Sequence, residues 1–201
     1  MNLTQFNQPF SALNQRVLYH PQWLTQDQAD ELYQHCHSSD WQAETITLFG
    51  KQITVPRRVF WMGDADAHYS YSNTSHIPVP WSKELLELKN RIKRELGLQF
   101  NSVLGNLYRD GQDHMGWHRD NETELGENPN ILSISLGAER RFCFKHIQHG
   151  EKHALVLKHG SALLMQGNCQ QQYKHALPKS IRIKSPRINL TFRLIQCEKK
   201  K

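Results

Sequence analysis

The sequence lacks the features of several protein classes. None of its 201 residues fall in a run of eighteen apolar residues, which excludes a typical membrane-spanning helix. The first ten residues, MNLTQFNQPF, contain neither a basic region nor an apolar core, so no secretory signal is predicted there. Heptads and internal repeats are also missing. We therefore expect an intracellular protein, cytoplasmic or nuclear in a eukaryote, that acts as a monomer and does not enter a membrane.

Cysteine is scarce, with four residues in the chain, and no two of them form a CxxC pair. Such a number is too small for the disulfide scaffold of a secreted domain. We interpret the four residues as free thiols in a reducing compartment: Cys36, Cys143, Cys169 and Cys197.

Charge is distributed unevenly along the chain. Residues 1–50 contain one arginine and five acidic residues, whereas residues 174–201 contain nine lysines or arginines and one glutamate. A basic region of this kind fits a polyanion such as nucleic acid. The final lysines, 199–201, are more typical of a solvated, solubilising tail. The better candidates for nucleic-acid contact are Lys179, Arg182 and Lys184.

Two helices are predicted in the first half of the chain. Thr25 and Gln28 fit a capping box before apolar residues at helical spacing, which predicts a helix over 26–38. A second helix is expected to begin after Ser82 and to end at Gly97, with a pair between Glu87 and Arg91 on its surface.

A β-hairpin is predicted between these helices. ETITLF and QITVPRRVF have strand character, and Gly50 with Lys51 fits a two-residue turn. Phe49 would then lie at the hairpin tip, where it either folds back onto the core or projects as a wedge. Further on, Tyr69 and Tyr71 share one face of an extended segment, as an ordinary edge strand or as a stacking surface for a planar ring.

Strands dominate the chain after Gly97. The segments are QFNSVLGNLYR, NILSISLG, RRFCFKH, HALVLKHGSALLM and PRINLTFRLI. No helices long enough for crossover connections separate them, so an antiparallel sandwich or barrel is predicted.

The last strand alternates polar and apolar side chains, with Ile188, Leu190 and Phe192 on its apolar face. Asn106 and Tyr108 also share a face in an earlier strand. Arginine binds carboxylates through two parallel hydrogen bonds, so a polar interior with an arginine at each end suits a short dicarboxylate. The alternative is that these arginines form surface salt bridges. The polar face of the last strand comprises Arg187, Asn189, Thr191 and Arg193.

A metal site is predicted from His118 and Asp120, which are two residues apart and share a face on an extended segment. A third ligand must come from downstream, where the candidates include His146, His149, His153, His159 and His175. We select His175, because a rolled sheet brings its segment back over the strand that carries His118. Two histidines and one carboxylate form the facial triad of non-haem Fe(II) oxygenases.

The pattern NxYxxGxxxxxxHxD, a distal histidine and RxNxTFR together resemble the AlkB-type Fe(II) and 2-oxoglutarate-dependent dioxygenases that repair alkylated nucleic acid. The resemblance covers residues 45–196. It implies a mainly β fold with flanking helices, in which a double-stranded β-helix (jelly-roll) core of residues 100–197 is preceded by an N-terminal extension and nucleotide-recognition lid of residues 1–99. It also implies that His118, Asp120 and His175 bind iron and act in catalysis. The residues it assigns to 2-oxoglutarate are Asn106, Tyr108, Arg187, Asn189, Thr191 and Arg193.

The lid most resembles that of the branch that repairs double-stranded DNA. LFGK and VPRR look like its finger, in which Phe49 enters the base stack and fills the gap left by a flipped nucleotide. Tyr69 and Tyr71 would face the extruded base, and Glu122 would contact its exocyclic amine. Asn121 stands where that branch often has aspartate. The substrate-binding residues implied by the resemblance are Phe49, Gly50, Lys51, Arg57, Tyr69, Tyr71, Asn121 and Glu122.

The activity implied is oxidative demethylation of N1-methyladenine- and N3-methylcytosine-type bases in DNA, or alternatively RNA. It would couple 2-oxoglutarate and O2 to succinate, carbon dioxide and formaldehyde, with Fe(II) as cofactor. One alternative keeps the iron and 2-oxoglutarate but hydroxylates a protein or small molecule. Another is a nucleic-acid-binding module without enzymatic activity, in which the same residues hold a structural metal.

Overall fold

Strands carry most of the regular backbone of the chain. The computed structural model describes residues 13, 15–48, 50–67, 69–71, 74–76 and 78–196. The helices are α1 (Gln26–His37), α2 (Lys83–Leu96) and α3 (Cys169–Gln172). The strands before α2 are β1 (Val17–His20), β2 (Gln42–Leu48), β3 (Lys51–Gly63), β4 (Tyr69–Tyr71) and β5 (Thr74–His76). Those after it are β6 (Ser102–Tyr108), β7 (Met115–His118), β8 (Ile131–Gly137), β9 (Arg140–His146), β10 (Lys152–Leu157), β11 (Ser161–Met165), β12 (Tyr173–Leu177) and β13 (Arg187–Arg193).

Two antiparallel sheets form the body of the fold. The larger has seven strands in the order β1-β11-β8-β13-β6-β3-β2, and the smaller has four in the order β10-β9-β12-β7. Strands β4 and β5 pair separately. The prediction of a mainly β jelly-roll fold with flanking helices is confirmed. Because β1, β2 and β3 precede residue 99 yet belong to the larger sheet, this sheet crosses the boundary proposed there. The division itself and the lid stay predictions.

The two long helices begin and end as their capping residues predict. Thr25 and Gln28 form the capping box of α1, and Ser82 accepts from the backbone of α2. Gly97 ends α2 with a φ of 70°, in the left-handed region that glycine enters without steric cost. None of the helices in the described part of the chain is long and apolar enough to cross a membrane.

Two local predictions are wrong. Leu48 pairs with Lys51, so the hairpin turn lies one residue earlier than Gly50-Lys51. Gly50 takes the second turn position with a φ of 74°, which frees Lys51 to begin β3. Phe49 lies outside the described residues. On α2, Arg91 pairs with Glu95 at 2.8 Å and not with Glu87, because its guanidinium turns toward the ring of Trp23, 4.6 Å away.

The larger sheet separates an apolar layer from a polar one. Helices α1 and α2 cover its outer face, where they bury Ile188, Leu190 and Phe192 of β13. Strand side chains alternate between faces, so the intervening polar residues of β13 point toward the smaller sheet. All seven residues of β13 are buried. The fold therefore encloses a polar interior between its sheets.

The described cysteines are free thiols, as predicted for Cys36, Cys143 and Cys169. Burial raises the pKa of Cys36 to about 12, with a further contribution from Glu84. Burial also raises the pKa of Cys169 to about 12. Both thiols therefore stay protonated at neutral pH and pack as small apolar groups.

Candidate active site

A cavity between the two sheets contains the residues that the sequence singled out. Its volume is about 520 Å³, counting the space at its open mouth. All nine predicted metal and cosubstrate residues line it, together with Arg57 of β3. The remaining lining is largely apolar and includes Leu104, Met115, Phe142, Met165 and Leu177.

Three of the lining residues form a cluster that can hold a metal ion. His118 and His175 are directly paired across strands β7 and β12, and their ring centroids are 4.2 Å apart. Asp120 Oδ2 lies 3.8 Å from His175 Nε2. One potential ligand atom from each residue lies within 4.8 Å of the others, and no second group of this kind occurs among the described residues. The selection of His175 over the other downstream histidines therefore agrees with the geometry.

The surroundings keep the histidine and the aspartate of this cluster in metal-binding protonation states. Burial lowers the pKa of His175 to about 3, and the nearby His118 adds to the shift. Burial alone would raise the pKa of Asp120, but Arg193, His175 and His118 bring it below its usual value. A neutral imidazole and an ionised carboxylate are the forms that bind divalent metals.

Hydrogen bonds position two of the three metal-binding residues, His118 through its ring and Asp120 through its backbone. His118 Nδ1 lies 2.8 Å from the carbonyl oxygen of Gly116. A carbonyl only accepts, so Nδ1 carries the proton and Nε2 is the nitrogen available for a metal. The backbone N–H of Asp120 donates to Oε1 of the buried Gln170 at 3.0 Å. Gln170 belongs to α3, which leads directly into the strand of His175, and it thereby connects the two ligand segments.

A hydrogen-bonded row of side chains lies on the polar face of β13. Arg187 Nη2 donates to Ser135 Oγ at 2.8 Å and to Asn189 Oδ1 at 2.7 Å. Asn189 Nδ2 in turn donates to Thr191 Oγ1 at 2.8 Å. Arg187 also lies 5.4 Å from the ring centre of Tyr108 on the neighbouring strand β6. These contacts hold the face rigid on the floor of the cavity.

The two arginines at the ends of this row are buried, which excludes the alternative that they form surface salt bridges. Arg193 Nη2 lies 2.8 Å from Asp120 Oδ1. Burial lowers the pKa of Arg187 to about 10, and its Nε has no hydrogen-bond partner among the described residues. A buried guanidinium donor without a partner favours an anionic ligand.

These observations fit the groups that the sequence pattern implies. The His118, Asp120 and His175 side chains provide three donors of the kind that Fe(II) takes in a facial triad. Arg187 lies at the end of β13 that is farther from this cluster. Its Nε has no hydrogen-bond partner among the described residues and is a donor for a carboxylate. The cavity can therefore receive a metal ion and a short dicarboxylate together.

The predicted substrate residues are placed less completely. Arg57 lies in the cavity, where it contacts Asn106 and Glu44. Asn121 is exposed, and Glu122 is half-buried two residues after Asp120. Gly50 and Lys51 are exposed at the hairpin turn. The side chains of Tyr69 and Tyr71 and all of Phe49 lie outside what the structure describes, so their contacts stay predictions.

Sequence reasoning missed Arg140, a fully buried arginine at the start of β9. Its guanidinium donates to the carbonyl oxygens of Asp110 at 3.1 Å, Asp113 at 2.9 Å and Pro178 at 2.9 Å. It thereby ties the loop between β6 and β7 to the segment after β12. Nothing local in the sequence marks Arg140 as buried. The two segments also meet at Gly111, which has no room for a Cβ because of its close contact with the carbonyl oxygen of Ser180. This contact shows how closely the two loops pack.

The fold and the cavity define the class of protein. Residues 16–193 match the model of the 2OG-Fe(II) oxygenase superfamily, and the chain belongs to this superfamily. Membership of an oxygenase superfamily argues against the alternative of a non-enzymatic nucleic-acid-binding module with a structural metal. The fold is also that of the solved structure of OsALKBH1, with a TM-score of 0.63 and 16% identity, over 89% of this chain and 96% of that one.

Within the superfamily the chain is an AlkB-type dioxygenase, as its relatives show. It is 40% identical to DNA oxidative demethylase ALKBH2 of Bos taurus over 75% of this chain and 57% of the relative. It is also 40% identical to the Mus musculus protein of the same name, over 77% of this chain and 68% of the relative. Identity to alpha-ketoglutarate-dependent dioxygenase alkB homolog 3 of Bos taurus is 35%, over 90% and 66% respectively. The chain thus spans between about half and two thirds of the length of these relatives.

Proposed function

We propose that this protein removes alkyl groups from N1-methyladenine- and N3-methylcytosine-type bases in DNA by oxidative demethylation. The reaction consumes 2-oxoglutarate and O2 and yields succinate, carbon dioxide and formaldehyde. The observation that carries the proposal is the shared cavity: the His118, Asp120 and His175 cluster lines the same cavity as Arg187, whose Nε has no hydrogen-bond partner among the described residues. Relatives named DNA oxidative demethylases support DNA as the substrate.

The metal-binding side chains supply three donors and leave room for other ligands. His118 presents Nε2, His175 is held neutral by burial, and Asp120 supplies an ionised carboxylate. Iron bound there supplies the oxidative chemistry that acts on 2-oxoglutarate, O2 and the alkyl group. Arg193 and Gln170 hold Asp120 in place from the side chain and the backbone.

The cosubstrate residues distinguish the ends of 2-oxoglutarate. Arg187 offers one carboxylate its Nε, which has no hydrogen-bond partner among the described residues, and Tyr108 lies directly opposite Arg187 on β6. Thr191 lines the cavity nearer the other end of β13. Asn106 lies on β6 directly opposite Asn189 of β13. Arg187 lies at one end of β13, and Arg193, which contacts Asp120 of the metal cluster, lies at the other. A dicarboxylate would therefore place one carboxylate at Arg187 and the other near the metal cluster.

Charge and stacking would select the alkylated base. A methyl group on N1 of adenine or N3 of cytosine makes the base cationic, so a nearby carboxylate favours it. Glu122 follows Asp120 closely in the chain and is half-buried. Tyr69 and Tyr71 would stack on the base, while Phe49, Gly50, Lys51, Arg57 and Asn121 would contact the surrounding nucleic acid.

The proposal extends to the setting in which the protein acts. The free thiols of Cys36, Cys143 and Cys169 suit a reducing intracellular compartment. We further propose that the protein acts as a monomer, because one chain contributes all the residues assigned to the cavity.

One assay tests the proposal. The protein is loaded anaerobically with Fe(II) and 2-oxoglutarate, then exposed to air with single- and double-stranded DNA or RNA that contains N1-methyladenine or N3-methylcytosine. We expect succinate, formaldehyde and repaired base in equal amounts on DNA, and none with Asp120→Ala. Repair confined to RNA would move the substrate to RNA. Succinate without repair would favour a protein or small-molecule hydroxylase, and the absence of all products would reject an oxygenase.

A further inference from the structure

Arg57 and Asn106 are in contact inside the cavity. We infer that Arg57 is a positioning residue that fixes the side-chain amide of Asn106, so that Asn106 presents only N–H donors to the cosubstrate. Glu44 holds Arg57 for this task. The identity of the cosubstrate as 2-oxoglutarate rests on the proposed function, whereas the arrangement of the three side chains does not.

The guanidinium of Arg57 donates to two acceptors, the side chains of Asn106 and Glu44. Arg57 Nε lies 2.8 Å from Asn106 Oδ1, and Arg57 Nη2 lies 3.1 Å from Glu44 Oε2. The Arg57 side chain is 10% exposed and that of Glu44 is 25% exposed. The guanidinium is therefore largely desolvated, and its planar fork can satisfy both partners at once.

The sheet register brings these side chains to one place. Val59 of β3 pairs with Asn106 of β6, and Arg57 is two residues from Val59, on the same face of the strand. That face is the inner one, because Phe60, on the opposite face of β3, is buried in the core that the helices cover. Arg57 and Asn106 both line the cavity as a result.

The chemistry of arginine decides which way the amide of Asn106 points. A guanidinium has five N–H donors and no acceptor, so the Asn106 atom that it contacts must be the carbonyl oxygen. The amide NH2 group is then turned away from Arg57. An asparagine held in this way complements a carboxylate or keto oxygen, whereas the opposite orientation would direct its carbonyl oxygen at that ligand.

Asn189, directly opposite on β13, provides an internal comparison. Its Oδ1 accepts from Arg187 at 2.7 Å and from Ser133 at 2.9 Å, and its Nδ2 donates to Thr191. Three neighbours therefore determine its orientation. For Asn106, Arg57 is the side-chain partner among the described residues, so the orientation of this amide depends on that one guanidinium.

The contacts of Arg57 connect the hairpin strands to the cavity floor. Glu44 lies on β2 and Arg57 on β3, and these two strands carry the turn around Gly50. Asn106 lies on β6 in the cavity floor. The Glu44–Arg57–Asn106 chain thus links the segment expected to meet nucleic acid with the segment expected to bind 2-oxoglutarate.

The test is 2-oxoglutarate binding, measured by anaerobic calorimetry on the full chain with Mn(II) in place of Fe(II). We expect Arg57→Met, which keeps the apolar stem and loses the donors, to weaken binding by roughly tenfold or more, as for loss of a hydrogen bond to a charged group. Arg58→Met is the matched control, because Arg58 is the next residue on β3 and is exposed. Its 2-oxoglutarate affinity should remain that of the unmodified protein.

A double substitution separates positioning from general damage. If Arg57 acts through Asn106, then Arg57→Met should cause no further loss of affinity in a chain that already carries Asn106→Ala. Losses that simply add, or an Arg57→Met affinity equal to that of Arg58→Met, would overturn the inference. Thermal unfolding without metal shows whether each variant folds. Should Arg57→Met not fold, Arg57→Leu also lacks side-chain N–H donors and is expected to give the same loss and the same non-additivity.

The outcome separates this inference from the proposed function. Failure of the unmodified protein to bind 2-oxoglutarate with Mn(II) present would contradict the proposed function itself. Normal binding by both the unmodified protein and Arg57→Met would contradict only the role of Arg57. In steady-state assays the positioning role predicts a raised KM for 2-oxoglutarate at a nearly unchanged kcat, which a loss of folded protein would not produce.

Discussion

Arg193 Nη2 lies 2.8 Å from Asp120 Oδ1, and both side chains are buried. The last residue of β13 therefore holds a carboxylate of the metal cluster, although the two residues lie 73 positions apart. Arg187 occupies the other end of the same strand. The length of β13 thus sets the distance between the metal cluster, which Arg193 contacts, and Arg187, which is expected to bind a carboxylate of the cosubstrate.

The Arg193–Asp120 pair predicts a large loss of stability in Arg193→Met. Removing one partner of a buried ion pair leaves an uncompensated charge, which typically costs about 3–5 kcal/mol. Urea unfolding at pH 7 without metal measures this loss. Arg193→Lys keeps the charge and should retain part of the stability. A loss below about 1 kcal/mol in Arg193→Met, the range of exposed pairs, would show that the contact is weak.

Gln170 predicts an effect on metal affinity that is separate from the ligands themselves. Its Oε1 accepts from the Asp120 backbone, and loss of such a supporting partner typically weakens metal binding by about 10–100-fold. We expect this range for Gln170→Leu in a Mn(II) titration. The matched control is Gln171→Leu, since Gln171 is exposed on the same turn. Equal affinities of the two variants would exclude a role for Gln170 at the metal cluster.

Arg140 predicts a structural cost at the loops that flank the site. Replacing it with methionine leaves three carbonyl oxygens without their buried donor, which should cost about 3 kcal/mol or more in unfolding free energy. Hydrogen exchange should rise in the loops around Gly111 and Ser180, which hydrogen-bond to each other. Arg141→Met serves as the comparison because Arg141 is exposed. Similar stability of the two variants would refute this role.

Asp113 predicts a pH-dependent contribution to stability. Burial alone raises the pKa of Asp113, but hydrogen bonds from the side chain and backbone of Arg109 bring it below its ordinary value. A lowered folded-state pKa stabilises the protein above the unfolded-state pKa of about 3.9, and this stability is lost as pH falls through the folded-state value.

Asp113→Asn should accordingly be destabilised by about 1–2 kcal/mol at pH 7, an estimate reduced because Arg109 is 56% exposed. Urea unfolding at pH 7 and pH 3 measures the difference between the variant and the unmodified protein. The difference should shrink at the lower pH. A difference that is constant with pH would show that the charge of Asp113 is not responsible.

The hairpin predicts a dependence on the form of the DNA. If Phe49 fills the gap left by a flipped base, Phe49→Ala should reduce turnover of duplex DNA more than turnover of single strands. The comparison uses the same methylated oligonucleotide with and without its complement. Equal losses on both substrates would remove the wedge role from Phe49.

Sequence periodicity predicted the parts of the fold that alternate strictly. The apolar residues of β13 all face the helices, and its polar residues, including Arg187 and Arg193, all face the cavity. The alternation in the sequence was therefore enough to predict the polar face. The spacing of His118 and Asp120 was equally informative, because side chains two apart on extended backbone share a face. Both inferences depend only on neighbours along the chain.

Contacts between distant segments could not be read in the same way. Arg140 begins an amphipathic strand and resembles an exposed charge, yet three carbonyl oxygens from two other loops bury it. Gln170 is one of three consecutive glutamines, and nothing local distinguishes the one that meets Asp120. Arg57 was expected at the nucleic acid, and the structure adds a contact with Asn106 that depends on the register of β3 and β6.

The central claim is that this cavity couples 2-oxoglutarate consumption to demethylation of DNA. The most direct measurement is the molar ratio of succinate to formaldehyde released with N1-methyladenine-containing DNA in the presence of Fe(II) and air. We predict a ratio of about one on methylated DNA, little succinate on unmethylated DNA, and neither product from His118→Ala. Succinate released at the same rate with and without methylated DNA, with no formaldehyde, would contradict the claim.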